Sequence, residues 1–225
     1  MSRSFQIVCL LIFSSILSSS PLAYSQTEPH APAVVTFTLD FPDSLPEHYS
    51  IRVPSDGSAR YQSSGRLSAD SDQTDSFDFA FTVAAETRQR IFELAAKAGY
   101  FQKDVELHHK GLAFTGKKTL TYQDPRRSGD ASYNYSSNPA VQDLTSLFQS
   151  LSATLEFGHR LQYFHLYQKL ALDEELKRME EMARNNQLAE VTAIQPILDQ
   201  IVADPSVINL TRARAQRLLE RGGVR

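Results

Sequence analysis

The run Gly111-Leu112-Ala113-Phe114-Thr115-Gly116-Lys117-Lys118 comes within one residue of a phosphate-binding loop. That motif needs Ser or Thr directly after the lysine, because the hydroxyl holds Mg2+. Lys118 stands there instead, and Thr119 arrives one position late. A phosphate-binding loop also feeds a helix whose N-terminus faces the anion, whereas residues 119–122 read as a strand. A hairpin turn at Thr115-Gly116 is expected, with no nucleotide or other cofactor.

The other chemistry-bearing residues fail in similar ways. The histidines are His30, His48, His108, His109, His159 and His165. His108 and His109 are adjacent, so on a strand they point to opposite faces. His159 and His165 are six apart and fall on opposite sides of a helix. No HExxH or HxH occurs, so no metal site is expected. Asp70, Asp72 and Asp75 resemble a calcium loop, but the sixth and twelfth positions hold Asp75 and Phe81 rather than Gly and Glu. A looser carboxylate cage across residues 70–78 stays open, since hard cations need only clustered oxygens. No Gly-x-Ser-x-Gly elbow exists, and Ser64-Gly65 and Ser128-Gly129 lie in loops. No catalytic residue emerges from spacing. Lys117, Lys118, Arg126 and Arg127, with Tyr122, Tyr133 and Tyr135, suggest either a solvated sheet face or a basic, aromatic patch for an acidic partner.

Composition sets the frame for these residues. The 225 residues are 41% hydrophobic and 22% charged, with net charge −3 and mean hydropathy −0.33. Collagen, wholesale disorder and a polytopic membrane protein are excluded, and the charge gives no reason to expect nucleic acid. Residues 1–25 read as a secretory signal peptide. Arg3 precedes an apolar run at 7–17, and Ala23-Tyr24-Ser25 places cleavage before Gln26. The run is too short to span a bilayer. The expected product is periplasmic or secreted, and not an integral membrane protein after cleavage. Loss of Cys9, the one cysteine, would leave a mature chain without disulfides or thiol chemistry.

Alternation at Val35, Phe37 and Leu39, and at Tyr49, Ile51 and Val53, marks two strands. Pro54-Ser55-Asp56-Gly57 turns the chain into a third strand around Tyr61. Phe77, Phe79, Phe81 and Val83 alternate with Asp78, Ala80 and Thr82 in a fourth. Ile91, Leu94, Ala95 and Ala98 mark a helix closed by Gly99. Val105 and Leu107 suggest a short strand, and residues 117–123 another. Asn138 caps a helix with Pro139 at its first position, and Val141, Leu144, Phe148, Leu151 and Leu155 form its stripe.

Strand signals end near Gly158. Residues 26–157 carry 12 Lys and Arg against 17 Asp and Glu, net −5, while residues 158–225 carry 10 against 9, net +1. A long helix is expected over 161–184. A second, kinked by Pro196, would carry Leu188 to Ile201, and a last one would start at Asp204-Pro205.

Several features in order resemble a family of small uncharacterised bacterial exported domains. They are Tyr49-Ser50-Ile51-Arg52-Val53 with Ser55-Asp56-Gly57 and Tyr61, the helix over 87–99 with Tyr100-Phe101, Lys117-Lys118-Thr119-Leu120-Thr121-Tyr122, and the helix over 139–151. The resemblance covers about residues 49–155 and implies no activity or catalytic residue.

The expected fold is α+β: an antiparallel sheet with two packed helices over 26–157, then an α-helical tail over 158–225. The leading expectation for function is an exported, non-catalytic interaction module. Its partner would be a protein or an envelope component, met through a separable tail. The alternative is an envelope hydrolase with a site assembled from distant residues. A pocket with converging His and Asp or Glu would favour the enzyme, and a flat apolar groove where tail meets sheet would favour the binder.

Overall fold

The computed structural model describes residues 31–42, 44–66 and 74–222. The expected signal segment, Cys9, His30, Asp70 and Asp72 lie outside the described residues. Six antiparallel strands form one sheet: β1 (Val34–Asp40), β2 (His48–Pro54), β3 (Ser58–Arg66), β4 (Thr74–Thr82), β5 (Lys117–Gln123) and β6 (Ser128–Tyr133). Their order is β4-β3-β2-β1-β5-β6. Alternation decides which face is buried. Val35 and Phe37 on β1, Ile51 and Val53 on β2, Tyr61 on β3 and Leu120 on β5 are fully enclosed. The β2–β3 turn is fixed by Asp56, whose carboxylate accepts from the Ser58 amide at 2.9 Å, and by Gly57 at φ 90°.

Two helices cover the enclosed face. α1 (Ala85–Lys97) buries Ile91, Leu94 and Ala95. α2 (Pro139–Tyr167) starts where the sequence places it, with the Asn138 side chain accepting from the Ala140 amide at 3.0 Å. Phe148 on α2 stacks on Phe37 of β1, centroids 5.3 Å apart. The fold is therefore α+β, an antiparallel sheet with packed helices followed by a helical C-terminal region.

α2 runs unbroken past Gly158 for a further nine residues to Tyr167. The boundary expected there falls inside a helix, and Ala31–Arg225 form one compact unit. The helix expected over 161–184 is two. The backbone leaves helical geometry at Gln168, and α3 (Leu172–Arg184) follows a short 3-10 turn at Lys169–Ala171. This break lets Leu172, Leu176 and Met179 bury completely within the chain. Pro196 does not kink a helix. It lies in the first turn of α4 (Gln195–Ala203), where its missing N–H costs nothing. Asp204-Pro205 does not open the last helix either. The Asp204 carboxylate accepts from the Ser206 amide at 2.9 Å, making a turn, and α5 begins five residues later (Asn209–Gly222). Val105 and Leu107 form no strand; the Leu107 amide donates to the Tyr135 carbonyl at 2.8 Å and to the Glu106 carboxylate at 3.1 Å.

The C-terminal helices are fastened by charge as well as by packing. Arg214 of α5 reaches Asp173 at 2.9 Å and Glu180 at 2.7 Å on α3, and Arg217 reaches Glu180 at 2.7 Å. A Cβ placed on Gly158 would stand 2.5 Å from the Ile194 side chain. Among the described residues, no helix is long and apolar enough to cross a membrane.

Candidate functional site

One cleft, of about 860 Å3, gathers charged and aromatic side chains from the sheet and from both neighbouring helices. β3 contributes Ser63 and β4 contributes Asp75 and Phe77. α2 contributes Ser152, Glu156, His159, Arg160 and Tyr163, spaced so that successive turns present them on one side. α3 adds Arg178 and Met182, and the β1–β2 loop adds Ser44, Leu45 and Pro46. The size suits a small-molecule or peptide ligand.

Glu156 lies at its centre with a side chain 13% exposed. The Tyr61 hydroxyl donates to Oε1 at 2.7 Å, and the Ser63 hydroxyl donates to the same oxygen at 2.7 Å. Tyr61 also meets the Ser152 hydroxyl at 3.1 Å. Burial first, and then the neighbouring Glu156 carboxylate, hold the Tyr61 phenol far above its ordinary titration range. Tyr61 therefore stays a neutral donor. Burial raises the Tyr49 phenol in the same direction.

From Glu156 a chain of alternating acidic and basic side chains runs both ways. Its Oε2 faces His159 Nδ1 at 4.0 Å, and His159 Nε2 faces Asp75 at 3.5 Å. On the other side Oε2 faces Arg160 at 3.9 Å, Arg160 Nε bonds Glu175 at 2.6 Å, and Glu175 meets Arg178 at 3.3 Å. Six side chains thus link β4, α2 and α3. Glu175 is buried and spans two guanidinium groups, as a buried carboxylate must to offset its lost hydration. His159 is clamped on Phe77, and Arg160 lies over the Phe157 ring at 4.9 Å.

The half of the chain near α3 is tight and the half near β4 is loose. Glu156 Oε2 has ionic neighbours at 3.9–4.0 Å, beyond hydrogen-bonding distance. Ser63 donates to a carboxylate rather than to an imidazole, so no serine–histidine pair of the nucleophilic kind is formed here. Among the described residues no group of three or more His, Cys, Asp and Glu could hold a metal ion.

Most residues singled out in the sequence are distributed elsewhere, but Ser64-Gly65 lines the cleft from β3 rather than from a loop. Asp75 and His159 also enter the cleft. His165 instead meets Asp204 at 2.9 Å, and His108 meets Asp104 at 2.6 Å from a loop rather than a strand. Lys117 and Lys118 do begin a strand, as expected from the run after Gly116. The basic, aromatic patch is not assembled: Lys118, Tyr122 and Tyr133 are buried, and Arg127 lies on the Tyr100 ring at 4.2 Å. Tyr61, Ser63, Glu156 and Arg178 were not read as a site. Glu156 is 95 residues from Tyr61, and no local spacing announces the pair.

A second groove, of about 1,020 Å3, lies among α1, α2 and the ends of α3 and α5. Its Glu190 already accepts from the Ala84 amide, and its Arg217 already bonds Glu180. It offers no comparable loosely held buried carboxylate. The junction of sheet and C-terminal helices is therefore a polar, aromatic cleft with converging His, Asp and Glu, not a flat apolar groove. No protein-family model and no curated protein matches the chain.

Proposed function

We propose that the protein is an exported, non-catalytic binding module that holds a small polar ligand in the cleft around Glu156. The observation that carries this reading is the state of that carboxylate. One oxygen is fixed by Tyr61 and Ser63, and the other has only ionic neighbours beyond hydrogen-bonding distance. A mostly buried carboxylate oxygen gains most from a donor that arrives with a ligand. The aromatic walls supply apolar area, and the fixed polar groups supply orientation. Export rests on the sequence of residues 1–25. The partner is then a small molecule or an envelope component with exposed hydrogen-bond donors.

Convergence of Asp75, His159 and Glu156 favours a second reading, an envelope hydrolase in which Glu156 draws a proton from water. It ranks lower because His159 stands 4.0 Å from Glu156 and 3.5 Å from Asp75, so the three do not form a hydrogen-bonded acid–base relay.

A thermal-shift screen of small-molecule classes tests the binding reading, run on the mature protein and on Ala153→Trp. Ala153 lines the cleft, and an indole there obstructs it. The expected result is a compound that stabilises the parent protein and not the folded variant. Equal stabilisation of both, or none of either, contradicts the reading. Conversion of the bound compound favours the hydrolase.

A further inference from the structure

The charge chain has spare hydrogen-bonding capacity of opposite kinds at Glu156 and at Arg178. Glu156 Oε2 is an acceptor with no donor within hydrogen-bond reach. Arg178 has one ion pair, through a single nitrogen to Glu175 at 3.3 Å, and its side chain is 58% exposed. Its fork carries five N–H donors, and only Nη1 has an ionic partner among the described residues. Between these two, Arg160 gives its Nε to Glu175 at 2.6 Å and holds Nη1 3.9 Å from Glu156. The cleft therefore presents an acceptor pole at Glu156 and an exposed donor pole at Arg178, with the Arg160–Glu175 pair between them.

Resting on the cleft being a binding site, we infer that its ligand is a short peptide with free ends. The ammonium goes to Glu156 and the carboxylate to Arg178. Complementarity of charge excludes the simpler classes. A dicarboxylate would set one charge against Glu156, and a polyamine would set one against Arg178. A neutral sugar would leave the guanidinium without the bidentate partner it fits best. The Arg160–Glu175 pair between the poles suits a ligand whose charged groups stand further apart than the single Cα of a free amino acid allows. Each extended residue adds roughly 3.3–3.6 Å, which points to two or three residues. Leu45, Phe164 and Met182 offer an apolar wall for a side chain between the ends, and methionine adapts to varied shapes. Gln149 and Gln168 line the same cleft and can pair with peptide groups.

Calorimetric titration of the mature protein decides this with four probes: Ala-Leu-Ala, its N-acetyl form, its C-terminal amide, and free leucine. Ala-Leu-Ala should bind. Blocking either end should weaken binding about tenfold, the worth of one charge-assisted contact. Glu156→Gln keeps an acceptor for Tyr61 and Ser63. It should weaken the free tripeptide by about the same factor and abolish the penalty of N-acetylation. Arg178→Met, at an exposed position, should abolish the penalty of amidation and leave that of acetylation. Capped peptides binding as tightly as the free one overturn the inference, and so does leucine binding as tightly as the tripeptide. If no tripeptide binds while the screen finds another ligand that Ala153→Trp excludes, the peptide assignment falls and the cleft stands. If no ligand sensitive to Ala153→Trp exists, the cleft itself falls.

Discussion

The imidazole of His159 lies flat on the ring of Phe77, planes 3° apart and centroids 4.2 Å apart. The stack joins α2 to β4, the strand at the sheet's edge. It also aims the two ring nitrogens, Nε2 toward Asp75 and Nδ1 toward Glu156. Phe77→Leu keeps apolar volume but removes the stacking face. Its expected cost is about 1–2 kcal/mol in urea denaturation. The same variant should release His159, seen as broader imidazole resonances. An unchanged midpoint with unchanged resonances would show that the stack does not hold the imidazole.

Alkaline pH should unfold the protein through its buried phenols. Burial holds Tyr49 and Tyr61 above the ordinary range and pushes Tyr133 up to about 12. Each keeps its proton in the folded state at pH values where the unfolded chain loses it. Their stabilisation is fully present below pH about 10 and lost as pH rises toward the folded values. Ultraviolet titration should show Tyr49, Tyr61 and Tyr133 ionising only with unfolding. Tyr61→Phe should make this alkaline loss shallower. A smooth titration of all the tyrosines near pH 10 would contradict the burial argument.

Gly158 marks the closest approach of α2 to the chain that enters α4. Gly158→Ala places a Cβ 2.5 Å from the Ile194 side chain, so it should overpack this contact and cost about 1–3 kcal/mol despite alanine's better helix propensity. Thermal unfolding should also remain a single transition. Truncation after Phe157 cuts α2 and uncovers Leu151, Leu155 and Phe157, which are enclosed in the whole chain. The product should be insoluble or molten. A soluble, cooperative fragment would restore the separable tail expected from composition.

Lys118, which spoils the phosphate-loop motif, has a structural use. Its ammonium donates to the Thr115 hydroxyl at 3.0 Å and to the carbonyls of Thr115, Gly116 and Asn134 at 3.0–3.2 Å. Burial lowers its affinity for the proton, and the Glu106 carboxylate opposes that shift. Lys118→Met leaves buried carbonyls without a donor and should cost about 1–3 kcal/mol. Hydrogen exchange should accelerate in residues 113–116. Loss of stability without faster exchange there would place the cost elsewhere.

What was legible follows from which signals are local. Strand alternation at Phe77, Phe79 and Phe81, and the Asn138-Pro139 cap, are local and appear where the sequence puts them. The break at Gln168 carries no Gly or Pro; the packing of Leu172, Leu176 and Met179 imposes it. Pro196 and Pro205 were legible as breakers, but not whether they begin a helix or sit in a turn. The candidate site was legible in Asp75 and His159 as isolated residues only. Glu156 meets Ser63 across 93 residues and Tyr61 across 95, a coincidence of topology that no spacing rule records.

Amide and side-chain NMR during titration with Ala-Leu-Ala, or with the best compound from the screen, tests the central claim most directly. The account predicts shifts concentrated at Glu156, His159, Arg160, Phe77 and Arg178, and their loss in Ala153→Trp. Shifts confined to the exposed Leu112 and Phe114, or to the groove between α1 and α5, would contradict it.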